Sequence, residues 1–374
     1  MNNLVLYRKY RPQSFSDLIG QEHIAKTLTN AISADTVSHA YLFDGPRGTG
    51  KTTLARLLAK AVNCENRKKG EYEPCNKCAS CMEIMEGRSM DLIEIDAASH
   101  RGIDEMRELK DGIKFSPVKS KYKVFIIDES HQLTKEAANA LLKTLEEPPA
   151  HAIFVLATTE IHKMIPTIIS RCQRFDFRKL SVPEIMKRLE IIAGKEKVKI
   201  SKDALELIAI NATGSIRDSE SLLDQVFAFR TETIKEITAE DIKSLLGLIE
   251  IEIVSKFTDL IREKKTAEAI GLLNETADRG MDLQEFSKAI INYLRQVLIL
   301  KIVGDKNPII TGLTKEELQK MEEQTAEFTE EELQKIINLF LESESRMRYS
   351  PIPQLPLELA IIEAIGQLSN RPII

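Results

Sequence analysis

Residues 45–52 read Gly45-Pro46-Arg47-Gly48-Thr49-Gly50-Lys51-Thr52, the spacing G-x-x-x-x-G-K-T. A loop of this kind is credible only with a strand before it and a helix after it, so it constrains the surrounding fold more than any other stretch. Both signals are present. His39-Ala40-Tyr41-Leu42-Phe43 is an apolar run that reads as a buried strand, and residues 53–60 carry the apolar period of a helix. Glycines let the backbone wrap close to a phosphate, with successive N–H groups turned inward as an anion nest. The helix N-terminus adds partial positive charge at the same spot. Gly45, Pro46, Arg47, Gly48, Thr49, Gly50, Lys51, Thr52 and Thr53 are therefore expected to hold a nucleoside triphosphate. Lys51 reaches the terminal phosphates, and the Thr52 hydroxyl is placed to ligate Mg²⁺.

A chain of 374 residues is too long for one ordinary core, so two or three domains are expected. Residues 1–178 alternate short β-like runs with helical stretches, the pattern of a parallel α/β sheet. The strands are expected at 40–43, 92–95, 124–127, 153–157 and 174–177, each a continuous apolar or β-branched run as in strands covered on both faces. From Ser181 the strand signals stop. Residues 179–243 read as a small helical domain, with Pro183 in a first turn and Ser201 as a cap. Residues 244–374 read as a second helical domain, with amphipathic stretches at 249–264, 266–279, 282–302, 314–324, 329–348 and 356–369. Thr329-Glu330-Glu331-Glu332 is an explicit cap. No apolar run reaches membrane-span length, and Met1-Asn2-Asn3 leads into charge and not into a signal-peptide core, so a cytoplasmic, non-membrane protein is expected. The net charge of −5 gives no direct support for nucleic-acid binding, which would need a local patch.

Val124-Phe125-Ile126-Ile127-Asp128-Glu129 is an apolar strand ending in two carboxylates. With the phosphate loop upstream, Asp128 is assigned to Mg²⁺ and Glu129 to the general base. Ile153-Phe154-Val155-Leu156-Ala157-Thr158-Thr159 ends in hydroxyls that could orient a water, although threonine is also a good strand former. Arg171, in Ser170-Arg171-Cys172, reads either as a surface arginine or as a finger given to a neighbouring subunit's nucleotide. Arg217 either reaches phosphates from a lid or pairs with Asp218 or Glu220. Tyr7 and Arg11 lie in a basic N-terminal arm that is either solvated or packed on the base and phosphates. In Asp96-Ala97-Ala98-Ser99-His100-Arg101, Ser99 is a candidate cap and Arg101 a candidate phosphate contact.

Cys64, Cys75, Cys78 and Cys81 form the other strong constellation. Four thiolates close a tetrahedral coordination sphere and leave no place for water, so a structural Zn²⁺ is expected in an insert spanning 64–81. An iron–sulfur cluster is the alternative. Cys172 stands apart and reads as a small buried side chain.

Together these stretches resemble the AAA+ ATPases and, within them, the gamma/tau family of bacterial DNA polymerase III clamp-loader subunits. The resemblance rests on Tyr7 to Pro12, Phe15-Ser16-Asp17-Leu18-Ile19-Gly20-Gln21-Glu22-His23, the phosphate loop, the cysteine insert, residues 91–99 and Asp128-Glu129-Ser130-His131. It continues through Leu141-Leu142-Lys143-Thr144-Leu145-Glu146-Glu147-Pro148-Pro149, residues 156–159, Ser170-Arg171-Cys172 and Gly214-Ser215-Ile216-Arg217-Asp218. It implies an AAA+ P-loop domain with a parallel sheet, then a helical lid, then an all-α collar. It implies ATP as the nucleotide, Thr158 as sensor 1, Arg171 as the trans-acting finger and Arg217 as sensor 2. It further implies a ring with delta and delta-prime subunits and further copies of this chain, opening the β sliding clamp on primer–template DNA. In the longer tau form, a C-terminal extension would bind the replicative polymerase and helicase; it is missing here, so the chain reads either as a natural short form or as a truncation of a longer tau-like protein. The departure from the family pattern is Ser130 where an apolar residue is common. A catalytically silent ring subunit is disfavoured by the intact Lys51-Thr52 and Asp128-Glu129, and a Holliday-junction motor by the cysteine insert.

Overall fold

The computed structural model describes residues 4–99, 112–113, 115–229, 236–246, 251–304 and 315–369. It divides into two compact units, Met1–Ile242 and Lys243–Ile374.

The first unit is built on five parallel strands, β1 (Ala40–Asp44), β2 (Leu92–Asp96), β3 (Lys123–Asp128), β4 (Ala152–Thr158) and β5 (Gln173–Asp176). Each lies within one residue of its expected span. Their order across the sheet is β2-β3-β4-β1-β5. The apolar runs are continuous because both faces are covered. Tyr41, Phe43, Val124, Ile126 and Val155 pack with α2 (Glu22–Ser33) and α3 (Lys51–Val62). Ala40, Leu42, Phe125, Ile127 and Leu156 pack on the other face with α5 (Lys135–Glu146) and α6 (Pro166–Ile169). Phe125 and Phe154 stack at 5.2 Å across β3 and β4. The register pairs Asp44 with Thr158 and Asp96 with Asp128, so the polar strand tips share one edge. Strand order reverses beside β1, and ligands of open parallel sheets bind at such a switch point, beyond the strand C-termini.

Two further helices of this unit matter here. The short α1 (Leu6–Lys9) opens the N-terminal arm, and α4 (Ala79–Met85) follows the cysteines. Three helices follow the sheet: α7 (Val182–Glu196), α8 (Lys202–Asn211) and α9 (Ile216–Phe229). Ser181 and Glu184 form a capping box with Pro183 in the first turn, and Ser201 accepts from the Ala204 N–H, as expected. Helix α10 (Ala239–Leu246) carries the chain across the boundary between the units.

The second unit is helical throughout its described residues: α11 (Ile251–Arg262), α12 (Thr266–Asp278), α13 (Leu283–Val303), α14 (Lys315–Glu327), α15 (Glu330–Met347) and α16 (Leu355–Ser369). Thr329 and Glu332 complete the expected capping box. Phe257 lies edge-on to Phe286 and Phe340, at 5.4 and 6.0 Å. One polar network is buried in this core. The Tyr293 hydroxyl donates to Gln324 Oε1 at 2.6 Å, and Gln324 Nε2 donates to Ser255 O and Asp259 Oδ1. No described helix is long and apolar enough to cross a membrane.

Candidate active site

The phosphate loop leaves the tip of β1 and is tied at once to β4, since Gly45 N donates to Thr158 O at 3.2 Å. Two of its glycines are required by close approach. At Gly45 (φ +143°) a Cβ would lie 2.3 Å from Phe177 O, and at Gly48 (φ +74°) one would lie 2.0 Å from Ser215 Oγ. Gly48 O in turn accepts from Ile216 N and Arg217 N, at 3.1 and 3.4 Å. The N-terminus of α9 therefore sits directly on the loop. The Lys51 side chain is buried, and its Nζ donates to Gly45 O at 2.6 Å and Pro46 O at 2.8 Å. Burial pushes its pKa down, and the Glu129, Asp128 and Asp44 carboxylates pull the other way.

Thr52 Oγ1 donates to Asp128 Oδ2 at 2.7 Å, which joins the first turn of α3 to the tip of β3. Glu129 follows at φ 47°, ψ 43°. A left-handed backbone costs a non-glycine residue about 1–3 kcal/mol, a strain typical of functional positions. Its N–H donates to Asp128 Oδ1 at 3.0 Å, and its Oε2 accepts from Thr159 Oγ1 at 2.9 Å. These groups open on a cavity of about 440 Å³, lined by Tyr7, Arg11, residues 47–53, Asp128, Glu129 and Arg217 among others. That volume lies in the usual range for a ligand pocket. A second, more open cleft of about 590 Å³ is lined by Gly45, Pro46, Glu129, His131 and Thr159.

The cavity carries a strong basic wall. The Arg217 guanidinium lies 4.8 Å over the Tyr7 ring and holds the Tyr7 phenol below its ordinary range. Burial, then the neighbouring Arg56, pushes the Arg11 guanidinium down to about 10. Among the described residues Arg11 has no ion-pair partner, whereas Arg56 is bound to Glu94 at 2.5 Å. An unpaired cation lining a half-buried cavity suits an anionic ligand.

The four cysteines converge at the C-terminal end of α3, with their Sγ atoms all within 4.8 Å of one another. N–H groups point at the sulfurs: Cys75 N at Cys64 Sγ (3.2 Å), Lys77 N and Cys78 N at Cys75 Sγ (3.4 and 3.3 Å), Cys81 N at Cys78 Sγ (3.4 Å). Four sulfurs brought this close, three of them receiving N–H donors, fit a tetrahedral metal ion of the zinc type. Cys172 stands apart, half-buried, and burial pushes its thiol up to about 12.

Residues 20–181 match the family model described as DNA polymerase III, delta subunit. Residues 184–231 match the DNA polymerase III clamp loader subunit, ATPase lid domain, and residues 237–372 match DNA polymerase III subunits gamma and tau domain III. The DNA polymerase III subunit gamma of Buchnera aphidicola (subsp. Acyrthosiphon pisum) is 36% identical over 98% of this chain and 100% of its own length. This chain belongs to the DNA polymerase III gamma/tau family. The tau subunit of Bacillus subtilis is 43% identical over 99% of the chain, which spans 64% of that relative's length. Among solved structures, Thermotoga maritima RuvB, a Holliday junction branch migration motor, aligns over 83% of this chain and 98% of its own. It does so at 21% identity and a TM-score of 0.49.

As a gamma/tau member the chain has an ATPase-type fold, and the geometry sorts the residues expected at the site. Tyr7, Arg11, the phosphate loop, Asp128, Glu129 and Arg217 come together. Thr158 and Arg171 line neither cleft. Thr158 is fully buried; its hydroxyl shares a 3.0 Å hydrogen bond with His131 Nδ1 and accepts from Glu160 N. Arg171 donates to Thr167 O at 2.7 Å and pairs with Glu146 at 2.5 Å. Ser99 donates to Asp96 Oδ2 at 2.8 Å, while His100 and Arg101 lie outside the described residues. Sequence reasoning groups Thr159 with Thr158 as candidate water-orienting hydroxyls, and Thr159 is the one that touches Glu129; it missed His131, held 3.5 Å from the Glu129 carboxylate and 3.4 Å from Glu160. It also missed the buried Arg188–Glu220 pair at 2.7 Å beside the cavity. Burial pushes the Glu220 carboxyl up, against the pull of Arg188.

Proposed function

We propose that this chain is an ATP-hydrolysing motor subunit of a bacterial clamp loader. The domain division would be a nucleotide-binding domain (1–178), a lid (179–243) and a collar (244–374). The observation that carries the reading is the 2.7 Å contact between Thr52 and Asp128, with Glu129 next to it and Lys51 below the loop. Lys51, the loop N–H groups, Arg11 and Arg217 would bind the triphosphate. Thr52 and Asp128 would hold Mg²⁺, which neutralises phosphate charge when bound. Glu129 would take the proton of the attacking water, with the Thr159 hydroxyl fixing its carboxylate. Thr158 would act from behind this site through His131. Arg171 would serve the nucleotide of a neighbouring copy. In the assembly, with delta and delta-prime subunits, ATP binding would open the sliding clamp around primed DNA and hydrolysis would release it. ATP turnover that rises with primed DNA and sliding clamp is the expected result. A chain that never turns over ATP in the full assembly would leave only the silent-subunit reading.

Glu129→Gln should retain ATP binding and lower hydrolysis by at least about a hundredfold, the usual contribution of a positioned base. Equilibrium binding and single-turnover hydrolysis on the same preparation separate the two effects. Near-normal turnover would move the base role elsewhere.

The cysteine insert would hold one zinc per protomer and no iron. Because only deprotonated thiols bind, acid or a strong chelator should release the metal. The sheet should stay folded, since the cluster lies at the end of α3 and outside the sheet. Metal analysis and visible absorption decide; a brown chain, or one with no metal, overturns the assignment.

A further inference from the structure

The N-terminal arm supplies one wall of the cavity through Tyr7, Arg8, Arg11, Pro12, Asp17 and Leu18. It joins none of the sheet's strands, so its polar backbone groups must find partners elsewhere. Two of those groups find one partner in the cysteine insert. Glu73, between Cys64 and Cys75, accepts Phe15 N on Oε2 and Ser16 N on Oε1, both at 2.9 Å. Phe15 is buried, and the adjacent Tyr72 meets it edge-on with ring centroids 6.3 Å apart. From α3, the buried Lys60 donates to Gln13 Oε1 at 2.8 Å, and Gln13 Nε2 donates to Arg11 O at 2.9 Å. The other end of the arm is tied to the lid helices. Arg188 donates to Tyr10 O, and the Tyr10 hydroxyl donates to Glu196 at 2.7 Å.

We infer that the cysteine insert is a positioning device for the nucleotide pocket: through Glu73 and Tyr72 it holds the arm that carries Arg11 to the ligand. The inference rests on the reading of the 440 Å³ cavity as the nucleotide site. Glu73 reaches the arm with both carboxylate oxygens, and charge-assisted contacts of this kind are the strong ones. The metal would fix the loop from Cys64 to Cys81, the loop would fix Glu73, and Glu73 would fix the turn at Phe15. Without it the arm keeps its lid anchors and the Lys60–Gln13 bond from α3, but the turn at Phe15 is released and Arg11 is held less firmly on the cavity wall. Nucleotide affinity thereby becomes coupled to the metal site, although no cysteine lines the cavity.

The test titrates Mg–ADP into the full chain by calorimetry, with zinc measured on every sample. Glu73→Ala should keep its zinc and bind Mg–ADP about tenfold more weakly, within the usual span of coupling between sites. Glu73→Gln, which keeps one acceptor oxygen, should fall between it and the parent. Hydrogen exchange should show the Phe15 and Ser16 amides losing protection in Glu73→Ala. Chelating zinc from the unmutated chain should give the same tenfold loss, and chelating it from Glu73→Ala should add little, because both act through one contact. This arm of the experiment stands even if Glu73→Ala folds poorly. Affinity within twofold of the parent after chelation overturns the inference, as do fully additive losses. Lys51→Ala is the control for the underlying reading: if it binds Mg–ADP as well as the parent does, the cavity is not the nucleotide site.

Discussion

Lys51→Ala is expected to bind Mg–ATP at least about a hundredfold more weakly than the parent and to show no turnover above background. Lys51 is the buried cation of the loop; the other basic residue, Arg47, is exposed. Its ammonium now rests on Gly45 O and Pro46 O, the two carbonyls at the mouth of the loop. A terminal phosphate would replace these neutral acceptors with charged ones, and hydrogen bonds to charged groups contribute about 1.5–3 kcal/mol each. Removing the cation also leaves the phosphate charge facing Asp128 and Glu129 with less compensation, from Arg11, Arg217 and Mg²⁺ alone. Lys51→Met separates charge from packing, since it keeps the buried stem. The same loss in Lys51→Met, with a melting temperature no lower than the parent's, would assign the effect to the charge. A full-affinity Lys51→Met would mean that the side chain only fills space. Equilibrium binding of a labelled nucleotide, with thermal melting in parallel, checks both variants.

What could be read in the sequence was whatever is local. Strand β1 was legible because Ala40 and Leu42 face one apolar layer while Tyr41 and Phe43 face another, which leaves an unbroken apolar run. The phosphate loop and the cysteine insert were legible because each packs its chemistry into a fixed short spacing. The caps at Ser201 and Thr329 are local for the same reason. Long-range pairings were not legible. Glu73 meets Phe15 and Ser16 from 58 and 57 residues away, and Arg188 meets Glu220 from 32. Nothing in the spacing of those residues marks them as partners. Thr158 and Thr159 illustrate a finer limit. Successive strand residues point to opposite faces, so a shift of one residue in where β4 ends exchanges their roles. The fold puts Thr159 on Glu129 and turns Thr158 inward to His131. Composition gave no access to this choice. The family resemblance supplied the site roles for Arg171 and Arg217 that the residues alone left open. Of these two, only Arg217 lines this chain's own cavity.

Arg171→Ala should therefore behave unlike the loop variant. In the lone chain Arg171 contacts Thr167 O and Glu146, and its side chain is about a third exposed (31%). An exposed pair of this kind contributes about 0–1 kcal/mol, so the isolated variant should fold and bind ATP as the parent does. The loss should appear only on assembly, where an arginine arriving across an interface stabilises charge on the transferred phosphoryl group. There hydrolysis should fall by about a thousandfold or more. Glu146 sharpens the argument, because the finger must leave it to reach a neighbour. Glu146→Ala should leave assembled turnover unchanged or faster, whereas a purely structural Arg171 would make it harmful in the lone chain. Mixing is the decisive measurement. Combining Arg171→Ala with Lys51→Ala subunits creates some interfaces that pair an intact loop with an intact finger, and partial activity should return. A mixture as inactive as either parent variant, or weakened ATP binding by isolated Arg171→Ala, would make Arg171 a local structural residue and leave the neighbouring nucleotide without its finger.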